Sequence, residues 1–492
     1  MPHETYLRPN AARRAPQGVT ENPEFSAENP LAALNRGRLE LTPDRAQDLN
    51  DLAEAVHSPA WQRFCRARQG HHPIPSGATY LAQLIAHDTS MTLPRAHVFE
   101  PVDGRAVNTN LIRTPLILAT LYGRGPMGEQ ELYSGLRFRV GPGGAPSIFV
   151  QAQETGGHSW PTTSMPLVYD RRNADSPMLL CMSYAFKAFH NRMVDAPAGL
   201  SADQARALSE DERFVYARAM TVRTWHNIIR SDVIDKVCRG LTESTAENRA
   251  RAVIANRDPN SVPANLSHAA FRCFHSLVLG NYRFKTGPLR QTIKNTLKPV
   301  GTGHALDRIS PDAMIEWQDD WLPDWPLFFD PDAEGANVTG FSPSFVFRNQ
   351  ERVSIAQRDF VAGLENGAST ARELLVPRDR IALLYATLDR VLGTGDRWQT
   401  WGRSNPTPVM LGLLADGFFE HGIGADGLPA AQMDSRLGPI ASALVRSSVD
   451  RLLDSAAAMV TRTLTDCGLH DLAAGAVLPN TFNEMIASTK GE

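Results

Sequence analysis

The sequence lacks a long apolar run, a paired-cysteine motif and an excess of positive charge. No stretch approaches the ~18–20 apolar residues that a membrane-spanning helix requires. The five cysteines among 492 residues are scattered, without a C-x-x-C pair. The formal net charge is −3, whereas a nucleic-acid-binding surface needs a basic bias. We therefore expect no membrane span, no disulfide framework and no nucleic-acid partner.

The N-terminal residues, MPHETYLRPNAARRAPQGVTENPEF, contain no apolar segment of the kind that forms a secretory signal. Together with the dispersed cysteines, this predicts a cytoplasmic protein. Residues 1–30 are polar and contain several prolines, so we expect an extended N-terminal arm. Residues 31–492 show neither an internal repeat nor a low-complexity tract. We expect them to form one domain with a core large enough to enclose a large cofactor.

Apolar residues recur mainly at helix spacing, which predicts a mainly α fold. The predicted helices lie at 44–57, within 74–92, and at 176–194, 205–231, 264–280, 378–393 and 436–465. Glycines and alternating apolar residues between 127 and 168 predict a short hairpin with loops. A large helical fold with a single core and few short strands is therefore expected.

The stretch IPSGATYLAQLIAHDTSMT at 74–92 places two polar side chains on an apolar helix. Gln83 and His87 are four positions apart, so they project from the same helix face. Asp88 follows His87 directly. A polar pair on such a helix indicates a buried pocket, although a histidine beside an aspartate is more often a structural pair than a catalytic one.

Two further segments add candidate residues. Arg172 lies in the charged cluster DRRN at 170–173, just before a long predicted helix. His275 lies in the apolar segment FRCFHSLV at 271–278. Taken singly, Arg172 is more often a surface residue and His275 a core histidine. Two histidines on separate apolar helices with an arginine nearby would also suit a haem held between them, with one histidine on the iron and the other acting as a base.

The order of five motifs resembles the bacterial branch of the animal-type haem peroxidases, within the peroxidase–cyclooxygenase superfamily. The resemblance covers roughly residues 70–465. The motifs that carry it lie at Ile74–Asp88, Arg113–Pro126, Asp170–Asn173 with His190-Asn191-Arg192, Phe271–Ser276, and in RLGPIASALV at 436–445. The resemblance implies a helical haem peroxidase fold with the haem between central helices.

By this resemblance, the catalytic residues are His87, Gln83 and Arg172, on the side where peroxide would bind. His87 would take a proton from hydrogen peroxide and return it to the leaving oxygen. Arg172 would stabilise the charge that develops as the O–O bond breaks. His275 corresponds to the proximal ligand of the haem iron. Asp359, in AQRDFVAG, aligns with the residue that accepts a hydrogen bond from the proximal histidine, and an ordinary salt bridge is the alternative for it.

The chain departs from the family pattern at several positions. Ala86 and Asp175 align with the two carboxylates that esterify the haem. Alanine cannot form that bond and aspartate is shorter than the usual glutamate, so we expect a non-covalently bound haem b. Ile117 and Ala119 replace oxygen ligands in the calcium loop, and a hard cation needs several oxygens, so we expect no calcium. Arg272 replaces the radical tyrosine of the cyclooxygenases and fatty-acid dioxygenases, which disfavours lipid dioxygenation.

The resemblance thus predicts a peroxidase that uses hydrogen peroxide to oxidise a small organic donor, phenolic or amine-like. One alternative is a haem peroxygenase or dioxygenase that acts on a dedicated substrate. Another is a catalytically weak haem-binding sensor, suggested by the lost calcium and ester ligands. A non-haem metal site at His71, His72 and His87 is disfavoured, because no acidic partner lies at ligand spacing. No motif names the donor or the oligomeric state.

Overall fold

The computed structural model describes most of the chain between residues 43 and 490. The described ranges are 43–70, 73–90, 112–141, 163–174, 176–241, 266–279, 281–284, 322–345, 376–432 and 434–490, together with residues 146, 148–151, 154–155, 158–159, 248, 260, 262 and 292–294. Several sequence predictions lie outside the described residues. They concern the arm at 1–30, Asp175 as a residue that could form a haem ester, Asp359 as a partner of the proximal histidine, and the pair His71 and His72.

The described chain is mainly helical, which confirms the fold class expected from the sequence. Its α-helices are α1 Pro43–His57, α2 Pro59–Ala67, α3 Gly77–Thr89, α4 Ala119–Tyr122, α5 Gly125–Gly128, α6 Pro177–Asp195, α7 Ala202–Ala207, α8 Glu210–Ile228, α9 Asp235–Val237, α10 Pro326–Phe329, α11 Arg378–Leu392, α12 Arg397–Ser404, α13 Val409–Phe418, α14 Pro439–Asp466, α15 His470–Ala473 and α16 Phe482–Lys490. Short 3-10 helices lie at Gln130–Leu132, Arg171–Ala174 and Phe271–Leu277, and π-helices at Ile229–Ile234 and Leu266–Ala270.

The described strands are short and pair only in twos. They are β1 Ile74–Pro75, β2 Tyr133–Ser134, β3 Arg137–Phe138, β4 Ile148–Gln151, β5 Glu154–Thr155, β6 His158–Ser159, β7 Thr163–Pro166, β8 Asn281–Arg283, β9 Thr292–Lys294 and β10 Val338–Thr339. All five pairs are antiparallel: β1 with β10, β2 with β3, β4 with β7, β5 with β6, and β8 with β9. The β4–β7 pair lies within the stretch for which the sequence predicted a hairpin.

The long helices begin where the sequence provides caps. The Ser176 hydroxyl accepts the Leu179 N–H at the start of α6, and Pro177 occupies the first turn, where a proline N–H is not needed. Helix α8 begins with a capping box between Ser209 and Glu212. The predicted helix 176–194 agrees closely with α6, whereas the predicted helix 205–231 is divided into α7 and α8, because the Ser209 cap starts a new helix.

Helix α3 lies in the centre of the described core. Its N-terminus follows the β1–β10 pair, and it packs against α6, the π-helix 229–234 and the 3-10 helix 271–277. Gly77 opens α3 because a Cβ there would lie 2.5 Å from Cζ of Phe329 and 2.6 Å from the Phe328 carbonyl oxygen. Buried apolar side chains from most of the described helices, α1 and α16 among them, form one large cluster around this helix.

The structure differs from the sequence prediction in several places. The helix predicted at 264–280 is a π-turn at Leu266–Ala270 that continues as a 3-10 helix at Phe271–Leu277, because hydrophobic spacing does not distinguish tight and wide helical turns. The C-terminal helices α12, α13 and α16 were not predicted. No described helix has the length and apolarity needed to cross a membrane.

Candidate active site

His87 lies in the last turn of α3 and only 8% of it is exposed. Its Nδ1 lies 3.0 Å from the side-chain oxygen of Asn173. The Asn173 amide nitrogen donates to the Thr120 carbonyl at 3.4 Å, which turns the amide oxygen towards His87. An amide oxygen can only accept, so Nδ1 carries the ring proton and Nε2 retains its lone pair. Within the described part of the chain, Nε2 makes no hydrogen bond.

The surroundings keep this imidazole neutral. Burial, followed by the positive charge of Arg172, lowers the pKa of His87 to about 4. The hydrogen bond to Asn173 and the charge of Asp170 act in the opposite direction, and the charge of Arg272 adds to the lowering. At neutral pH, His87 is therefore a buried base with a fixed tautomer and an available Nε2.

Arg172 is half-buried beside the end of α3. Its Nε lies 3.0 and 3.1 Å from the two Asp170 carboxylate oxygens, and its Nη2 lies 2.6 Å from one of them. The same guanidinium donates to the backbone carbonyls of Ser90 at 2.7 Å and His87 at 3.1 Å. Carbonyls at a helix C-terminus lack helical partners, so a cation is favourable there. Arg172 thus binds the turn that carries His87. The alternative in which Arg172 is only a surface residue did not predict these contacts.

The other predicted residues occupy neighbouring positions. Gln83 lies one turn before His87 on α3 and is half-buried. Ala86 is half-buried, and its carbonyl accepts hydrogen bonds from the hydroxyls of Thr89 at 3.0 Å and Ser90 at 3.1 Å. A methyl side chain at Ala86 offers no group that could bond to a cofactor.

His275 is half-buried on the 3-10 helix Phe271–Leu277, which packs against α3. Arg272, on the same short helix, is one of the charges that lower the pKa of His87. The segment that carries His275 therefore faces the helix that carries His87. His275 supplies an imidazole that could hold a haem iron.

Two residues of the site were missed by the sequence analysis. Asn173, which is 1% exposed, fixes the His87 tautomer, and Asp170, which is 5% exposed, pairs with Arg172. Both belong to the motif Asp170–Asn173 that carried the resemblance, so the motif itself was the available signal. Only the fold shows that Asp170 contacts Arg172 and that Asn173 contacts His87.

Asp88 anchors the loop that contains Leu116, Leu118 and Thr120. Its carboxylate accepts the Leu118 N–H at 2.7 Å and the N–H and hydroxyl of Thr120, each at 3.4 Å. Its backbone carbonyl accepts the Leu116 N–H at 3.2 Å. Leu116 and Leu118 are left-handed, with φ of 64° and 56°, a conformation that is unfavourable for L-residues. Among the described residues, no group of three or more His, Cys, Asp or Glu side chains could hold a metal ion.

No protein-family model and no curated protein matches the chain. Among solved structures, it is similar to peroxidase A from Dictyostelium discoideum, with a TM-score of 0.49 and 14% identity over 86% of this chain and 85% of that one. It is also similar to the fatty acid alpha-dioxygenase of Oryza sativa, with a TM-score of 0.48 and 12% identity over 86% and 75%. The corresponding values for the Arabidopsis thaliana fatty acid alpha-dioxygenase are 0.46 and 12% over 85% and 72%. At these scores, the similarities carry no weight in assigning a function.

Proposed function

We propose that the chain is a haem-dependent peroxidase that uses hydrogen peroxide to oxidise a small phenolic or amine-like donor. The observation that carries the proposal is His87: a buried, neutral imidazole with its Nδ1 proton held by Asn173 and its Nε2 available. A general base for peroxide needs this combination of a fixed tautomer and a free lone pair. The order of the five sequence motifs supports the same activity.

The residues present fit a haem. His275 would hold the iron, and the short helix that bears it packs against α3, which bears His87. The available Nε2 of His87 is an acceptor that a bound peroxide would satisfy. When bound, the haem would supply the redox centre at which peroxide is reduced and the donor oxidised. The methyl group of Ala86 would leave that haem without one of its ester bonds, and we propose non-covalent binding.

The chain's own side chains would move the proton. Nε2 of His87 would accept a proton from hydrogen peroxide and return it to the departing oxygen, which leaves as water. Asn173 would hold the ring in place through Nδ1 during both transfers. Arg172 would keep the imidazole from being protonated by solvent and stabilise negative charge on the departing oxygen. Gln83, one turn earlier on the helix, would orient the peroxide. In the described part of the chain, no observation specifically favours a peroxygenase or a sensor.

The absorption spectrum of the haem-loaded protein, before and after addition of hydrogen peroxide, tests this proposal. We expect peroxide to change the spectrum rapidly in the wild type. In His87→Ala, the spectrum before peroxide should be retained and the change slowed by at least ~10²-fold, the usual contribution of a positioned acid–base group. The matched control is His421→Ala, which removes an exposed histidine and should react at the wild-type rate. Equal rates in all three proteins would refute the role of His87.

A further inference from the structure

Two leucines in the loop that leads into α4 have a backbone conformation that their own side chains disfavour. Leu116 and Leu118 are left-handed, with φ of 64° and 56°, and both are fully buried. In this conformation the Cβ of an L-residue lies too close to the following carbonyl oxygen, so the conformation persists only where neighbouring groups fix it. Each hydrogen bond to this loop therefore helps to hold a strained backbone.

His226 reaches this loop from α8. It is buried, and its Nε2 lies 2.8 Å from the Leu116 carbonyl oxygen, although the two residues are 110 positions apart. A carbonyl oxygen can only accept, so Nε2 carries a proton. Burial lowers the pKa of His226 to about 4, so at neutral pH the ring is neutral and this N–H is its only one. His226 therefore donates its single ring proton to the carbonyl of a left-handed residue.

The Leu116 backbone joins His226 to the end of α3. Its carbonyl accepts from His226, and its N–H donates to the Asp88 carbonyl at 3.2 Å. Asp88 follows His87 directly in the chain, and its carboxylate accepts the Leu118 N–H at 2.7 Å. Without a donor from His226, the buried Leu116 carbonyl would be unpaired, which is costly. The loop would then relax out of the left-handed conformation and lose its contacts with Asp88.

The other end of the same loop determines how Asn173 faces His87. Thr120 donates its N–H and its hydroxyl to the Asp88 carboxylate, each at 3.4 Å. The Thr120 carbonyl accepts the Asn173 amide nitrogen at 3.4 Å, and the Asn173 oxygen lies 3.0 Å from Nδ1 of His87. If Thr120 moved, the Asn173 amide could turn its nitrogen towards the imidazole. Nδ1 would then accept, and the ring proton would lie on Nε2.

We propose that His226 is a positioning residue for His87. By holding Leu116, it keeps the loop 116–120 and Asn173 in the arrangement that leaves the proton on Nδ1 of His87. The importance of this tautomer for catalysis rests on the proposed function, but the arrangement itself does not. It can be tested without peroxide, so its failure would be distinct from a failure of the peroxidase proposal.

His226→Gln and His226→Leu form a matched pair, because the glutamine amide nitrogen can replace Nε2 as the donor and leucine has no donor. Nitrogen NMR of the whole histidine-labelled chain reports each tautomer, with His87→Gln assigning the His87 signal. In the wild type we expect opposite tautomers, Nε2–H for His226 and Nδ1–H for His87. His87 should remain Nδ1–H in His226→Gln and become a mixture in His226→Leu. A folded His226→Leu variant with the wild-type His87 signal would overturn the proposal, as would an Nδ1–H tautomer for His226.

Amide hydrogen exchange of the haem-loaded protein, followed by mass spectrometry, provides a second measurement. The amides of the loop 116–120 should exchange at least about tenfold faster in His226→Leu than in the wild type or His226→Gln, while those of α14 keep their wild-type rates. Where His226→Leu does not fold, His226→Asn replaces it, because its shorter amide cannot reach the Leu116 carbonyl, and the same pattern is expected. Unchanged exchange in the loop, or equal acceleration in the loop and α14, would refute the specific role of His226.

Discussion

The side-chain oxygen of Asn173 lies 3.0 Å from Nδ1 of His87, although the two residues are 86 positions apart. The oxygen faces the imidazole because the Asn173 amide nitrogen donates to the Thr120 carbonyl. This contact decides which ring nitrogen carries the proton, and so which one can act as a base.

Replacing Asn173 with alanine should leave the imidazole free to rotate and to change tautomer. We expect the reaction of the haem-loaded protein with peroxide to slow by about 10–100-fold, the usual cost of losing a residue that orients a functional histidine. Stopped-flow absorption measures this rate. The comparison is Asn173→Asp, which keeps an acceptor at Nδ1. At high pH, this variant should react with peroxide faster than Asn173→Ala. Wild-type kinetics in Asn173→Ala would contradict this role.

The charge of Arg172 should set the acid limit of the reaction. His87, with a pKa of about 4, is neutral above that pH, so the rate should fall as pH decreases through about 4. Arg172→Gln removes a charge that lowers this pKa, so the fall should begin at higher pH, between about 4 and the ordinary histidine value of about 6.5. A pH series of peroxide reaction rates provides the measurement.

The double variant Asp170→Asn with Arg172→Gln is the control for that series. Asp170 raises the pKa of His87 and Arg172 lowers it, so removing both charges should move the acid limit less than removing the arginine alone. An acid limit that is identical in the wild type and Arg172→Gln would show that the arginine charge does not act on His87.

His275 should be required for haem binding. His275→Ala removes the imidazole assigned to the iron, so titration with haemin should show greatly weakened or abolished binding. His470→Ala removes an exposed histidine from α15 and should bind haemin like the wild type. A normal five-coordinate haem spectrum in His275→Ala would exclude His275 as the ligand.

Chelators should affect neither thermal stability nor the haem spectrum. Both oxygens of Asp88 face N–H or O–H donors of the 118–120 segment, and a cation cannot share them favourably with those donors. Ile117 and Ala119 supply no side-chain oxygen. Melting curves with and without chelator test this, and stoichiometric calcium in dialysed protein would disprove it.

The haem should be extractable into acidified organic solvent. Ala86 removes one ester bond, and a haem held only by His275 and packing separates from the chain when the protein unfolds. Denaturing mass spectrometry should then show the polypeptide at its unmodified mass. Haem that remains attached would show that another carboxylate, such as Asp175, forms a bond to it.

The sequence by itself predicted the mainly helical class and several of the long helices, and it proposed the main members of the site. The apolar spacing and the proline in the first turn are local signals, and they suffice to place α6. The i, i+4 relation of Gln83 and His87 fixes their common helix face wherever the helix packs. The order of the five motifs identified Arg172 and His275 as members of one proposed site. Motif order can be read from the sequence without knowledge of the fold.

The tertiary structure decided how those residues act on one another. Neither the Asn173–His87 hydrogen bond nor the contacts of Arg172 with the end of α3 follows from local spacing, since each joins segments more than 80 positions apart. The same holds for Arg218, whose guanidinium lies over the Tyr122 ring only when α8 packs into the core. Periodicity reports which side chains are buried, but the protonation state of His87 depends on which charges and acceptors burial brings beside it.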